Sequence, residues 1–510
     1  MKSFPTDIKV HGLRHDKSNP KNNGYAIDAR NVRGRKHGLE GYSPEMMEFP
    51  SIVYGATTLS MTIDWPFPQV FQTDTGLFIA KRDGLYQVVF TAGVLTATKL
   101  TGVYTGSINW PFTLANCPGF PVFASGDLLV YYDYTTSAWV AFNKATLGST
   151  AGTHWDTTWD QPVSACFFNG QVIVCGGIDS TTWPSNSRLV RWSEVGAFKF
   201  LGKTATAISN VAGQVFAPCD DNEILLRCMK IGRRVIVYGT FSCFVMRPIE
   251  DPVPSFGIKK LDGVVGIRNP LAVAGSETKQ LMIDRNGEIR LITYDVYENV
   301  NVEVVGYSEY LGNAQKNLNM STGEDIVIVT YNEQEDEFYI SNGIESFLFR
   351  EGELTRINKC ITSMVNYKNA AVTDSSYFDY INKMPIGVYS DCDDDAIIYQ
   401  SDIIDQGLNG IKLIETIEVL GTLSTDGFVE VMIEARVDKS QAFRSTKWVR
   451  CDPNGSCAPT VQGTELRVNI RTKHFSGCTL EAIRVWWKIT DRRYIRGRYD
   501  DNISSNRGGQ

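Results

Sequence analysis

Short apolar runs alternate with tight polar turns along most of this chain, and the apolar runs come in pairs. The pairs span Gly76 to Phe90, Asp127 to Phe142, Ala165 to Gly176, Arg234 to Met246, Gln280 to Ile292 and Asp325 to Gly343. Apolar runs rich in β-branched and aromatic residues predict strands, and a pair joined by Asn169-Gly170, Arg82-Asp83-Gly84 or Arg285-Asn286-Gly287 predicts a hairpin. Counted from Gly76, Asp127, Gln171, Arg234, Gln280 and Asp325, the pairs recur at roughly the length of one propeller blade, about 40–50 residues. One wider interval, from Gln171 to Arg234, contains Arg188-Leu189-Val190-Arg191-Trp192-Ser193-Glu194 and implies an insertion or an additional strand pair. Hairpins returning at this period predict a β-propeller, whose four-stranded sheets pack face to face.

The flanks read differently. Residues Gly12 to Tyr25 are polar and rich in turn formers; a short strand follows from Tyr25 to Arg33, with Tyr25, Ile27 and Ala29 on one face, and then another turn from Gly38 to Pro44. Such a segment buries little by itself, so residues 1–50 are expected to form an extended arm that needs a surface to lie on. From about Ile411 the alternation lengthens. Val429, Val431, Ile433, Ala435 and Val437 share one face, opposite Glu430, Glu434, Arg436 and Asp438; Leu466, Val468 and Ile470 form a second such set, and Ile483, Val485, Trp487 and Ile489 a third. Strands with one apolar face predict a compact antiparallel sandwich. The expected fold class is therefore all-β: a β-propeller over residues 51–400, with an N-terminal extended arm and a C-terminal antiparallel β-sandwich or platform domain over residues 401–500. Residues 501–510 read as a flexible tail.

Composition agrees with this. The chain has 510 residues, 43% hydrophobic and 21% charged, which excludes disorder for its bulk and exceeds the usual size of one core. Its 44 glycines and 22 tyrosines favour short strands and tight turns. No apolar stretch is long enough to span a bilayer, and Met1 to Asp7 lacks the apolar core of a secretory signal, so no membrane segment and folding in the cytosol are expected. The 11 cysteines form no C-x-x-C pair and several sit inside apolar runs, which reads as reduced core thiols. A formal charge of −7 offers no general handle on nucleic acid. The basic clusters Arg14, Lys17, Lys21, Arg30, Arg33, Arg35, Lys36 and Arg492, Arg493, Arg496, Arg498 read as solvated or partner-facing surface.

Candidate chemistry is thin. His11 and His15 stand four apart, but Gly12 and the surrounding turn residues argue against the helix that would align them as metal ligands. No nucleophile elbow, phosphate loop, zinc-protease helix or dinucleotide fingerprint is present. Two acidic turns, Asp391 to Asp395 and Asp284 to Glu288, are conceivable oxygen clusters for calcium, and the plainer reading is a solvated linker and a hairpin turn. No catalytic, cofactor-binding or metal residue is assigned, and the chain is not expected to be an enzyme. Trp155 and Trp159, in the polar loop from Leu147 to Gln161, read as contact residues.

Several phrases, in order, resemble a virion protein family of short-tailed bacteriophages, the tail nozzle or hub (tail tube B-like) protein. The first comprises Gly12-Leu13, Asp16, Pro20, Gly24-Tyr25-Ala26, Ala29, Asn31-Val32, Gly38 and Gly41-Tyr42. Then come Trp192-Ser193-Glu194, Ile224 to Tyr238 with Ser242, Gly263 to Asn269, Asp284 to Gly287 and Tyr331 to Asn342. Glu194 and Gly232-Arg233-Arg234 depart from the acidic residues of the family pattern. The resemblance covers roughly residues 10 to 355, and it lies in the order of the phrases. It implies a homo-hexamer below the portal–adaptor complex, around a channel that DNA crosses during ejection without sequence-specific binding. The implied partners are the adaptor (head–tail connector) protein, tail fibres or tailspikes, and a tail needle or plug. The implied location is the virion tail, with host cytoplasm during assembly. Leu13, Tyr25, Asn31, Val32, Tyr42, Trp155 and Trp159 are the candidate interface residues. An alternative class is a carbohydrate-binding or carbohydrate-cleaving propeller, a receptor-binding protein or depolymerase with Trp155, Trp159 and Trp183 as sugar platforms. A host intracellular propeller adaptor is a third, against which stands the lack of regular Trp-Asp or Gly-Gly blade signatures.

Overall fold

The computed structural model describes residues 4–14, 25–41, 52–59, 68–91, 94–100, 108–133, 137–142, 161–177, 187–196, 198, 200, 212–249, 255–311, 327–341, 345–357, 359–365, 386–391, 397–405, 410–422, 428–472 and 479–490. Among them nearly every element is a strand, with a single helical turn at Ser308–Leu311. The chain divides into two compact units: a propeller unit, Glu45–Ile344 with Cys360–Ser390, and a composite unit, Met1–Pro44 with Glu345–Lys359 and Asp391–Gln510.

In the propeller unit, consecutive strands form antiparallel meanders. The first blade comprises Gln69–Thr73, Gly76–Lys81, Gly84–Thr91 and Val94–Lys99, extended by Ile52–Tyr54 and Thr57–Thr58. The second comprises Thr113–Ala115, Val122–Ser125, Leu128–Asp133 and Ala138–Phe142; the third, Ser164–Phe168, Gln171–Cys175, Leu189–Trp192 and Gly213–Phe216. The fourth comprises Leu225–Ile231, Arg234–Gly239, Ser242–Ile249 and Ser255–Val265; the fifth, Val273–Gly275, Lys279–Ile283, Ile289–Tyr294 and Val300–Gly306. A hairpin, Ile328–Asn332 with Glu337–Ser341, follows. Each segment singled out by its paired apolar runs is therefore a strand pair of a propeller. The wider interval holds the third strand of the third blade, Leu189–Trp192, and the blade's fourth strand.

The reason these strands read as continuous apolar runs is that both faces of a blade are covered. In Arg234–Gly239, Val235 and Val237 enter the core shared with the third blade, while Ile236 and Tyr238 enter the core shared with the fifth. In Leu128–Asp133, Leu128 and Val130 pack with Phe78, Phe112 and Phe123, and Leu129 and Tyr131 pack with Ala165, Val172 and Val174 of the next blade. Burial on alternate faces is worth roughly 1.5–3 kcal/mol for each large side chain, so the stack is driven by contacts that no blade makes alone.

Polar contacts fix the spacing. On several blades a side-chain oxygen of the first strand accepts a backbone N–H from the following blade or its lead-in: Gln69 Oε1 from Phe112 at 2.8 Å, Thr113 Oγ1 from Ala165 at 2.8 Å and Ser164 Oγ from Cys228 at 3.1 Å. Ser363, in the strand Lys359–Val365, accepts the Val70 N–H at 2.9 Å, so a strand late in the unit meets the first blade and the meanders return on themselves. These acceptors sit where a buried N–H would otherwise be orphaned.

The composite unit draws on three parts of the chain. One sheet runs in the order Phe4–Lys9, Ala482–Ile489, Lys412–Leu420, Ser456–Cys457, with Val461–Gly463 also on Lys412–Leu420. A second runs Ala26–Ala29, Ile397–Ser401, Glu465–Thr472, Val429–Arg436, Arg444–Ser445, with Val449–Arg450 also on Val429–Arg436. Val32–Arg35, Gly38–Gly41 and Thr479–Leu480 make a third. Burial follows the alternation: Val429, Val431, Ile433 and Ala435 are buried, as are Leu466, Val468, Ile470, Ile483, Val485 and Trp487. Val437, expected on the same face, is exposed because the strand ends at Arg436.

Here the structure differs from the sequence reading. Residues 4–14 and 25–41 are not a separate arm: Phe4–Lys9 pairs along its whole length with Ala482–Ile489, Phe4 opposite Trp487 and Lys9 opposite Ala482, and Ala26–Ala29 pairs with Ile397–Ser401. Residues 397–400, read as part of the repeat region, belong to this unit. The reason is that an edge strand with few apolar residues is completed by its partner's N–H and C=O groups, which leave no trace in its own sequence. The tail, 501–510, lies outside the described residues.

Replacing Thr113 by valine keeps the shape and removes the acceptor of the buried Ala165 N–H. Thr113→Val is expected to destabilise the propeller unit by about 1–3 kcal/mol, read as a lowered midpoint of chemical or thermal unfolding. An unchanged midpoint would show that the hydroxyl contacts do not hold the blades.

Candidate interaction surfaces

The sequence-selected interface residues of the N-terminal segment converge on one seam of the composite unit. The hairpin Ser346–Arg350 with Glu353–Ile357 supplies its other side. Leu13 donates its N–H to Leu354 O at 2.7 Å and Asn31 donates to Arg356 O at 2.7 Å, while Thr355 Oγ1 donates to Val32 O at 2.5 Å. Leu13 and Val32 are buried, Asn31 nearly so, and Tyr25 half-buried. In this structure they contact their own chain. Tyr42, Trp155 and Trp159 lie outside the described residues, as do Trp183 and His15.

Local chemistry explains the phrase that carries these residues. A Cβ at Gly12 would stand 2.5 Å from Leu354 O, so the close backbone approach requires glycine. Asn31 has φ of 53°, a left-handed conformation that asparagine tolerates better than most residues. Glu353 ties the seam with both carboxylate oxygens: Oε1 lies 2.9 Å from His11 Nδ1 and Oε2 accepts the Gly12 N–H at 2.9 Å. The His11 ring stacks on Tyr25 at 4.8 Å. Burial, and secondarily the Glu353 carboxylate, push the Tyr25 phenol above its ordinary value. Asp28 receives Arg356 at 2.9 Å and Arg30 at 3.0 Å, and Arg14 reaches Asp402 at 3.2 Å. His11 thus pairs with a carboxylate in an irregular segment, and the basic residues Arg14, Arg30 and Arg33 of the N-terminal cluster each face an acid of the same unit.

The propeller phrases are joints of the same kind. Trp192 is buried in the core between the third and fourth blades; Ser193 accepts the Val172 N–H on Oγ at 2.9 Å and the Gln171 Nε2 on its carbonyl at 2.6 Å. Asp284 is fully buried, pairs with Arg290 at 2.7 Å and accepts the N–H groups of Asn286 and Glu288, so this acidic turn is a hairpin lock. Of the other acidic run, Asp391 to Asp395, only Asp391 falls among the described residues, at the end of a strand. Among the described residues no group of three or more His, Cys, Asp or Glu is placed to hold a metal ion. Eight described cysteines carry free thiols, six of them buried in strands or core. Among the described residues no helix is long and apolar enough to cross a membrane.

No protein-family model matches the chain, and no curated protein matches it. Among solved structures it is similar to the β-propeller domain of Cps50 (Swd1) from Myceliophteria thermophila, with 10% identity over 59% of this chain and 88% of that one and a TM-score of 0.37. It is also similar to PorZ, a bacterial surface component of the type-IX secretion system of Porphyromonas gingivalis, with 10% identity over 58% of this chain and 33% of that one and a TM-score of 0.33. The WD40 domain of Neurospora crassa Pan2 gives 8% identity over 58% of this chain and 81% of that one, with a TM-score of 0.34. The propeller itself is read from the strand order and face packing within this chain.

Glu353→Ala removes acceptors from both His11 and Gly12. It is expected to destabilise the composite unit by about 1–3 kcal/mol and to speed amide exchange over residues 11–14, whereas Glu298→Gln, on an exposed pair of the propeller unit, leaves that exchange unchanged. Equal exchange in both variants would contradict the seam. A pH test follows from Asp7, whose carboxyl Arg484 holds below the usual carboxylate range through paired contacts of 2.6 and 3.0 Å. Because the folded value is depressed, this contribution is present above the ordinary carboxylate value and is lost as pH falls through the folded one. Asp7→Asn should therefore flatten the acid-side loss of protection at residues 4–9, after correction for intrinsic exchange. An identical profile would mean that the pair does not hold this strand.

Proposed function

We propose that the chain is a structural subunit of a short-tailed bacteriophage virion, acting by binding and not by catalysis. Its place would be the hexameric tail nozzle or hub below the portal–adaptor complex, forming the channel for DNA ejection. The observation that carries the reading is the order of the resembling phrases, which run from Gly12 through Asn342 and include residues of both units. Supporting it, the phrase residues in the described regions are framework positions: Gly12 at a close backbone approach, Trp192 in an inter-blade core and Asp284 in a hairpin lock. Residues that fix a framework are those a shared scaffold would retain.

The charge is compatible with a conduit. A formal charge of −7 gives a wall that does not grip phosphate, so a duplex would slide where a basic surface would hold it by counterion release. Six copies joined by heterologous contacts would close a ring without growing into fibres. The adaptor, tail fibres or tailspikes and a needle or plug would meet folded surfaces of the subunit. Residues 4–14 and 25–41 enter that scheme as part of the composite unit, so any partner that meets them meets a module already ordered within the chain.

Electron microscopy with symmetry analysis of the purified protein, alone and mixed with portal and adaptor, tests the proposal. Six-fold rings capping the adaptor are expected. Monomers indifferent to portal and adaptor would refute the nozzle assignment.

A further inference from the structure

Three loops meet at one edge of the propeller unit, between its fourth and fifth blades. They are the turn Thr240-Phe241, the segment Gly266 to Arg268 and the start of the turn at Arg285. Their backbones are bonded to one another: Ile267 N–H donates to Gly239 O and Arg285 N–H to Gly266 O, each at 2.8 Å. A Cβ at Gly266 would overlap Gly239 O and the Phe241 nitrogen, so only glycine permits this approach. Beneath the turn, the buried Glu223 accepts the Phe241 N–H at 2.7 Å and the Thr240 hydroxyl at 3.1 Å. The platform is rigid before anything binds.

What it presents is two arginines and a ring. The Arg285 guanidinium lies 4.2 Å from the centre of the Phe241 ring, which is 50% exposed. Arg285 Nη1 donates to Thr240 O at 3.3 Å, and Arg268 Nε donates to Arg285 O at 3.2 Å. Both arginines are half-buried, and among the described residues neither has a carboxylate partner, in contrast to Arg188 with Asp221, Lys230 with Glu277, Arg233 with Glu298, Lys279 with Asp336 and Arg290 with Asp284 on the same unit. Two like charges held side by side repel, and partial burial together with the Arg285 charge makes the protonated Arg268 less favoured. An arginine stacked on a ring keeps its donor edge free for a planar acceptor, and guanidinium groups match carboxylates in two-pronged fashion.

We propose that Arg268, Arg285 and Phe241 form a binding site for a carboxylate-bearing segment of a protein partner, with the acid between the two guanidinium groups and an apolar neighbour on the ring. A single carboxylate fits better than a nucleic-acid backbone because the formal net charge of −7 would repel a polyanion, whereas one acidic side chain needs only the two guanidinium groups. The site is a property of this unit and does not depend on the virion reading.

The test uses the full chain and three fluorescein-labelled probes: a serine–glycine dodecapeptide with one central Glu-Leu pair, its glutamine counterpart, and a single-stranded DNA dodecamer. Fluorescence anisotropy at near-physiological salt should show the glutamate peptide preferred over the glutamine peptide by at least about tenfold, since hydrogen bonds to charged groups contribute roughly 1.5–3 kcal/mol. Arg268→Gln and Arg285→Gln should each remove most of that preference, and Arg233→Gln, on a pair remote from the site, should keep it. Phe241→Leu, at an exposed position, should weaken both peptides while keeping the preference for glutamate, and it decides the case if an arginine variant fails to fold. Absence of a glutamate preference, its survival in both arginine variants, or tighter DNA binding that the same substitutions abolish would each overturn the proposal.

Discussion

A sheet that is apolar on both faces has no stable exposed form, and the propeller unit is what that constraint produces. Residues such as Val235, Ile236, Val237 and Tyr238 alternate between two different cores, so no blade is complete without a neighbour on either side. The hydroxyl and amide acceptors at Gln69, Thr113, Ser164 and Ser363 then set how closely the inner strands stand, because each satisfies an N–H that burial would otherwise leave orphaned. Apolar packing drives the assembly, and these acceptors give it register.

The composite unit solves a different problem. Its sheets have one buried face each, and their edges are closed by segments far away in sequence: Phe4–Lys9 beside Ala482–Ile489, and Ala26–Ala29 beside Ile397–Ser401. Such pairing is costly in chain entropy until both strands are present. Ion pairs between Asp7 and Arg484, and between Asp28 and Arg356, accompany it, and Trp487 Nε1 donates to Thr6 Oγ1 at 2.9 Å. Phe4–Lys9 and Ala482–Ile489 thus belong to one folded unit, and whatever meets the N-terminal strand meets a surface shaped by residues hundreds of positions later.

This contrast explains what could be read beforehand. Blades were legible because each is local, its strands announced by consecutive apolar runs and its turns by Asn-Gly or Asp-Gly chemistry. The one-face alternation of Val429 to Ala435 was equally clear. The pairing of Phe4–Lys9 was not, since an edge strand's partner is chosen by backbone groups that every sequence shares. The candidate residues Leu13, Asn31 and Val32 were expected at an interface with a partner, and the contacts they make here are a seam with Leu354, Thr355 and Arg356 of the same chain. The Arg268–Arg285–Phe241 platform was not legible as a site: Arg268 and Arg285 fall in the phrases Gly263 to Asn269 and Asp284 to Gly287, but three loops are needed to bring them beside Phe241, and Gly266 marks the close approach.

The central claim is that the N-terminal segment is completed by the C-terminal strands of the same chain. Hydrogen–deuterium exchange on the dilute, monomeric full-length protein tests it most directly. The account predicts that amides of residues 4–9 are protected together with those of 482–489 and lose protection together when Trp487 is truncated to alanine. Exchange of residues 4–9 at the rate of an unstructured peptide, with 482–489 still protected, would contradict it and restore a free arm.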